Sequence, residues 1–137
     1  MKKILNLTQH QATPAQIEVG VYNLGLYSLA HKRVNDLLTF SEMPTHSELM
    51  RNARELTNIV RDENPDAVMI GGAPWFMSVL ETALTYAGVQ VYYAFSKRVS
   101  IESTDSDTGE VTKTNVFKHI GFVKGNDVSW EGGKRIW

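Results

Sequence analysis

The stretch Pro65-Asp66-Ala67-Val68-Met69-Ile70-Gly71-Gly72-Ala73-Pro74-Trp75 decides the fold. Ala67 to Ile70 is a continuous apolar run, the pattern of a central strand buried on both faces. Gly71 to Pro74 turns the chain. Phe76 to Ala87 returns as a helix, and Gly88 closes it. Strand, tight turn and helix make half of a parallel βαβ unit, so matching strands are expected on either side.

Both are present. Downstream, Val89 to Phe95 reads as a strand of the same kind, with Tyr92 and Tyr93 in it. Upstream, Ile4 to Leu7 is a short apolar segment interrupted by Asn6 and reads as a buried strand. Thr13-Pro14-Ala15-Gln16 starts a short helix, with Thr13 as cap, Pro14 at the first helical position and Gln16 closing a capping box. Residues 21–40 have no single period, although Leu29 to Leu38 carries helical spacing. Thr45-His46-Ser47-Glu48 offers a second capping box. Leu49, Ala53, Leu56 and Val60 behind it form an apolar helix face that Pro65 ends.

Past residue 96 the period changes. Residues 97–104 and 111–123 read as two extended segments around the turn Asp107-Thr108-Gly109-Glu110. Strict alternation puts Val116, Lys118, Ile120 and Phe122 on one face of the second segment, and Phe117, His119 and Val123 on the other. The tail, Gly125 to Trp137, reads as either a docked strand or a loose end. The expected fold class is therefore α/β: one small Rossmann-like domain over residues 1–137, with 125–137 as an extended tail. Its sheet is mostly parallel, with helices on both faces and a C-terminal β-hairpin extension.

Composition bounds the function. The 137 residues are 42% hydrophobic and 21% charged, enough to fill a core and too apolar for a disordered chain. A net charge of −1 argues against a duplex nucleic acid partner, which needs many cations on one face. The absence of cysteine excludes disulfides, thiolate metal sites and a cysteine nucleophile. No run reaches the length of a membrane span and the N-terminus has no signal-peptide core, so no membrane contact and a cytoplasmic location are expected. Asn6-Leu7-Thr8 matches the glycosylation pattern, but without a secretory signal the match is fortuitous.

In open α/β sheets ligands bind outside the carboxyl ends of the strands. Three polar or glycine-rich segments follow the three strands here: Asn6, Thr8, Gln9 and His10; then Gly71, Gly72, Ala73 and Trp75; then Ser96, Lys97 and Arg98. Converging, they would form an anion site. Glycine amides and a helix N-terminus would face a phosphate, Lys97 and Arg98 would supply charge, and Trp75 would stack on a base. The structural alternative is a Gly-Gly turn leading into a Pro-started helix, since the pair matches neither phosphate-loop pattern. His10, at a strand end, is the candidate proton-transfer group. His31, His46 and His119 fit surface or structural roles, and no histidine pair or carboxylate cluster suggests a metal. Asp105 and Asp107 fit solvated turn residues.

Asn6-Leu7-Thr8-Gln9-His10, Val68-Met69-Ile70-Gly71-Gly72, Val91 to Arg98, Gly109-Glu110-Val111 and Val116 to Phe122, taken in order over residues 2–124, carry a resemblance. The chain resembles the small stand-alone CRISPR-associated proteins related to the CRISPR-associated Rossmann-fold (CARF) domains. That resemblance implies binding of a cyclic oligoadenylate second messenger and its metal-independent cleavage, as in ring nucleases, with no cofactor. No catalytic residue of that family maps onto a position here, so roles rest on strand-end placement. His10 and Lys97 are the catalytic candidates. Asn6, Thr8, Gln9, Gly71, Gly72, Ala73, Trp75, Ser96 and Arg98 are the nucleotide-binding candidates. A ribose 2′-hydroxyl would attack the adjacent phosphorus and leave a linear product ending in a 2′,3′-cyclic phosphate. A cyclic ligand with internal symmetry suits a twofold homodimer whose axis passes near the strand-end edge. Two alternatives stand beside it: a nucleotide-binding or sequestering module without turnover, and a mobile-element interaction protein anchored by Trp130 and Trp137.

Overall fold

A computed structural model describes residues 1–125 in full, together with the backbone of 129–131 and 134–136. The chain runs β1 (Ile4–Leu7), α1 (Pro14–Glu18), β2 (Val21–Tyr22), α2 (Leu29–Leu38), α3 (His46–Glu63), β3 (Ala67–Ile70), α4 (Pro74–Tyr86), β4 (Gln90–Thr104) and β5 (Val111–Lys124). The backbone of β6 (Ser129–Glu131) and β7 (Lys134–Ile136) pairs as a separate antiparallel ribbon. The main sheet has the order β2-β1-β3-β4-β5. Its first four strands are parallel and β5 is antiparallel to β4. This is the mixed α/β, Rossmann-like sheet that the apolar runs predict.

Period 2 sorts each strand between two cores. Leu5, Leu7, Val68, Ile70 and Val91 face α2, α3 and α4 and join Val34, Leu37, Leu56, Val60, Phe76, Leu80 and Leu84 in the larger core. Ile4, Ala67, Met69 and Tyr92 point the other way, into a smaller cluster that includes Val21 and is packed by Ala12 and Phe122. A right-handed β1-α1-β2 crossover puts α1 on that second face, since the chain then moves in the opposite direction across the sheet to reach β3. Helices therefore lie on both faces, three on one and a single short one on the other.

The helix boundaries follow their caps. Thr13 Oγ1 accepts from the Gln16 amide at 3.2 Å while Gln16 Oε1 accepts from the Thr13 amide at 3.0 Å, closing the capping box. Thr45 caps α3 through the Glu48 amide at 3.1 Å. Asn64, at φ 52°, ends α3 in the left-handed region just before Pro65. Among the described residues no helix is long and apolar enough to cross a membrane.

Two expectations are corrected. The third parallel strand does not end at Phe95. It runs on into the segment 97–104, which the sequence reads as extended, as one strand to Thr104 paired with β5, so Ser96, Lys97 and Arg98 lie within the strand rather than at its carboxyl end. The second correction concerns facing. Phe95 pairs with Gly121 and Ser96 with His119, which leaves Ile120 as the extra residue of a bulge. That one residue reverses the alternation beyond it. Phe122 therefore shares the face of His119, their rings 4.9 Å apart, and Val123 moves to the face of Val116 and Lys118. β2, in the stretch with no clear period, is a further strand that the sequence did not reveal.

Candidate functional site

Leu7, Ile70 and Tyr93 lie side by side and define the carboxyl edge of the parallel sheet. From β1 the chain leaves toward β2, and from β3 it leaves in the other direction toward β4. The crevice between β1 and β3 is thus the topological switch point where open α/β sheets place ligands.

The β1 loop is organised from beneath by Asn6, which is buried. Its Nδ2 donates to the His10 carbonyl at 2.7 Å and to Asn23 Oδ1 at 2.8 Å. Its Oδ1 accepts from the Thr8 amide at 3.1 Å and from the Thr8 hydroxyl at 2.7 Å. The Ala12 amide also donates to Asn23 Oδ1 at 3.0 Å, tying the loop exit to the same hub. Asn6 and Thr8 therefore spend their polar groups shaping the loop. His10 contributes its backbone to that network while its side chain is exposed.

The β3 loop is open where the β1 loop is knotted. Gly72 has φ +153°, a conformation that L side chains rarely adopt. Ala73 is the N-cap of α4 and offers no side-chain hydrogen bond to the first free amides, and Pro74 follows it. Gln9, Gly71, Gly72, Ala73 and Trp75 line one cavity of about 280 Å³ together with Thr39 and Phe40. Gln9 Nε2 donates to Thr39 Oγ1 at 2.8 Å, joining the β1 loop to the end of α2. Trp75 is 50% exposed and meets Phe40 edge-on at 5.2 Å, while Phe40 meets the buried Phe76 at 5.1 Å. Thr39 and Phe40 were not singled out in the sequence. They follow a helix in the segment with no clear period, and only the return of α2 to the strand edge makes them wall residues.

Five predicted residues thus share one cavity. Ser96, Lys97 and Arg98 do not line it; they sit on the β4–β5 ribbon opposite His119, Lys118 and Phe117. The Arg98 guanidinium lies 5.5 Å from the centre of the Phe117 ring. His10 and Lys97, the proposed catalytic pair, do not meet in this cavity. Beyond Phe40 a polar hollow of about 360 Å³ contains Asp36, Glu42, Glu48 and Glu55, with Arg33 paired to Glu55. A larger groove of about 490 Å³, between α3 and α4, contains none of the predicted residues.

None of the perturbed titrations belongs to a residue that lines this cavity. Burial and a hydrogen bond to Glu81 push the Tyr93 hydroxyl up, burial and Glu63 push Tyr22 up, and a hydrogen bond to Tyr92 raises Lys2. Among the described residues no group of three or more His, Asp or Glu side chains is arranged to hold a metal ion. The side chains of Trp130 and Trp137, the anchors of the interaction-protein alternative, lie outside the described residues.

Searches of curated proteins and of solved structures return no match to this chain. A family model does match, over residues 2–123, which takes in the sheet, the crevice and all but the last residue of the β4–β5 ribbon. The chain therefore belongs to the Uncharacterized protein MJ1673 family.

Proposed function

We propose that this protein binds a small anionic nucleotide at the β1–β3 crevice, with a cyclic oligoadenylate as the ligand its sequence resemblance favours. The observation that carries this reading is the shared cavity. Gly71, Gly72, the unblocked N-terminus of α4 and the half-exposed ring of Trp75 all front one hollow. Backbone amides at a helix start suit a phosphate, and an exposed indole beside them suits a base. At about 280 Å³ the cavity falls below the size of a pocket for a whole drug-sized ligand, so one copy takes roughly one nucleotide unit. A cyclic ligand with internal symmetry then engages two copies, which makes the working form a homodimer. A cytoplasmic setting fits such a ligand.

Binding is better supported than cutting, because His10 and Lys97 of one copy do not share the cavity. Calorimetry with cyclic tetra-adenylate, followed by chromatography of the mixture after several hours, tests both readings. Saturable binding that Trp75→Ala weakens at least tenfold, without loss of thermal stability, is expected. A linear product ending in a 2′,3′-cyclic phosphate would convert the assignment to a ring nuclease. No heat and no thermal shift with any of a panel of cyclic and linear nucleotides would overturn it.

A further inference from the structure

β3 ends at Ile70, opposite Tyr93, but β4 runs on to Thr104 with β5 from Val111 to Gly121 beside it. Among the described residues no third strand pairs with this two-stranded ribbon beyond Tyr93. At about 3.3 Å per residue it stands roughly 35 Å clear of the sheet edge. It is also greasy: Phe95, Ile101, Val111, Phe117 and Ile120 are each more than half exposed. A lone two-stranded ribbon is marginal in water, and apolar side chains exposed along both its faces mark a surface made to be covered.

The charges indicate what covers it. Lys97, Arg98 and Lys118 sit in the half of the ribbon nearer the sheet. Asp105, Asp107 and Glu110 sit at its tip, and Glu102 and Lys113 between them form an ion pair at 3.6 Å. The ribbon is a charge dipole with exposed apolar side chains distributed along it. Two such ribbons laid antiparallel about a twofold axis put each acidic tip on the other's basic base. That self-complementarity is what an isologous interface requires. One face about 35 Å long and 10 Å wide gives roughly 350 Å² per partner before side chains are counted, below the about 800 Å² of a standard interface, so the pairing of opposite charges selects the partner.

We infer that the β4–β5 ribbon is the dimerisation arm, and that its partner is the same ribbon of a second copy, crossing near Ile101 and Thr114, a register that sets Lys97 and Lys118 against Asp105 and Glu110 of the second copy. This rests on the homodimer part of the proposed function and locates its surface. Closest approach is at Ile101 and Thr114 because that register aligns the opposite charges.

Sedimentation equilibrium needs no nucleotide. The wild type is expected at about twice its 15.4 kDa chain mass. Asp107→Lys/Glu110→Lys, basic at both ends, and Lys97→Glu/Lys118→Glu, acidic at both ends, are each expected to sediment as monomers with wild-type circular dichroism. An equimolar mixture of the two is expected to recover a dimer. The cysteine-free background supplies a second readout: Thr114→Cys, on the face of Lys97 and Lys118 at the crossing, should form a disulfide-linked dimer on mild oxidation, and Glu18→Cys on α1 should not. A wild-type monomer at 100 µM would overturn both the homodimer and the arm. A wild-type dimer that both charge variants retain, with no cross-link at Thr114→Cys, would overturn the arm alone and leave the homodimer standing.

Discussion

Replacing Asn6 by aspartate keeps the shape of the side chain and removes both of its donors. In the native loop those donors reach the His10 carbonyl at 2.7 Å and Asn23 Oδ1 at 2.8 Å. Each bond is worth about 1 kcal/mol net, and a carboxylate turned toward two acceptors in a buried setting adds about 1–3 kcal/mol. The expected loss near pH 8 is therefore about 3–5 kcal/mol, a large share of the roughly 5–15 kcal/mol that hold a domain folded. The pH dependence follows from the same oxygens. Facing two acceptors, the new carboxyl holds its proton more tightly in the folded chain than in the unfolded one. Protonated, it regains one donor. The penalty should therefore shrink to about 1–2 kcal/mol below pH 4 and grow as pH rises through the raised folded value. Urea unfolding followed by circular dichroism, on wild type and Asn6→Asp at pH 3.5 and pH 8, measures both numbers. A difference under about 0.5 kcal/mol at pH 8, or a larger penalty at pH 3.5 than at pH 8, would refute the hub role of Asn6. A residue that served only to touch a ribose would give the first of those results.

Gly20 offers a steric prediction. A Cβ there would lie 2.1 Å from the Lys2 carbonyl oxygen, at φ +111°. Gly20→Ala should cost about 3 kcal/mol or more and lower the melting temperature by about 10 °C, and a variant melting within 2 °C of wild type would contradict the geometry. Tyr93 predicts alkaline behaviour. Its hydroxyl is raised by burial and by Glu81. The folded chain then binds this proton more tightly than the unfolded chain, so its contribution is complete below about pH 10 and is lost as pH climbs above that. Melting temperatures of Tyr93→Phe between pH 8 and pH 11 should decline less steeply than wild type; an identical decline would assign the loss to other groups.

How much of the site could be read in advance depended on how local its causes are. Gly71, Gly72, Ala73 and Trp75 were legible because glycine before a Pro-started helix fixes a turn at a strand end, whatever surrounds it. Gln9 was legible by adjacency to the first strand. Thr39 and Phe40 were not, because no local rule says that a helix will return to that edge. Ser96, Lys97 and Arg98 were misplaced for a different reason. The extended reading of 97–104 holds, but a polar triplet after an apolar run marks a strand end, and only pairing with β5 carries one continuous strand through it and past the sheet edge.

The sequence by itself determined the α/β class, the helix caps at Thr13 and Thr45, the strand of residues 67–70 and the turn after it. Each rests on interactions within a few residues: a hydroxyl three positions from an amide, a proline at the start of a helix, an unbroken apolar run. Only the tertiary structure decided that β2 completes the far edge, that Ile120 reverses the facing of Phe122, and that the cations leave the crevice to stand on a projecting ribbon. Those outcomes depend on pairing between segments distant in the chain, where one extra residue in a register moves every side chain beyond it to the opposite face.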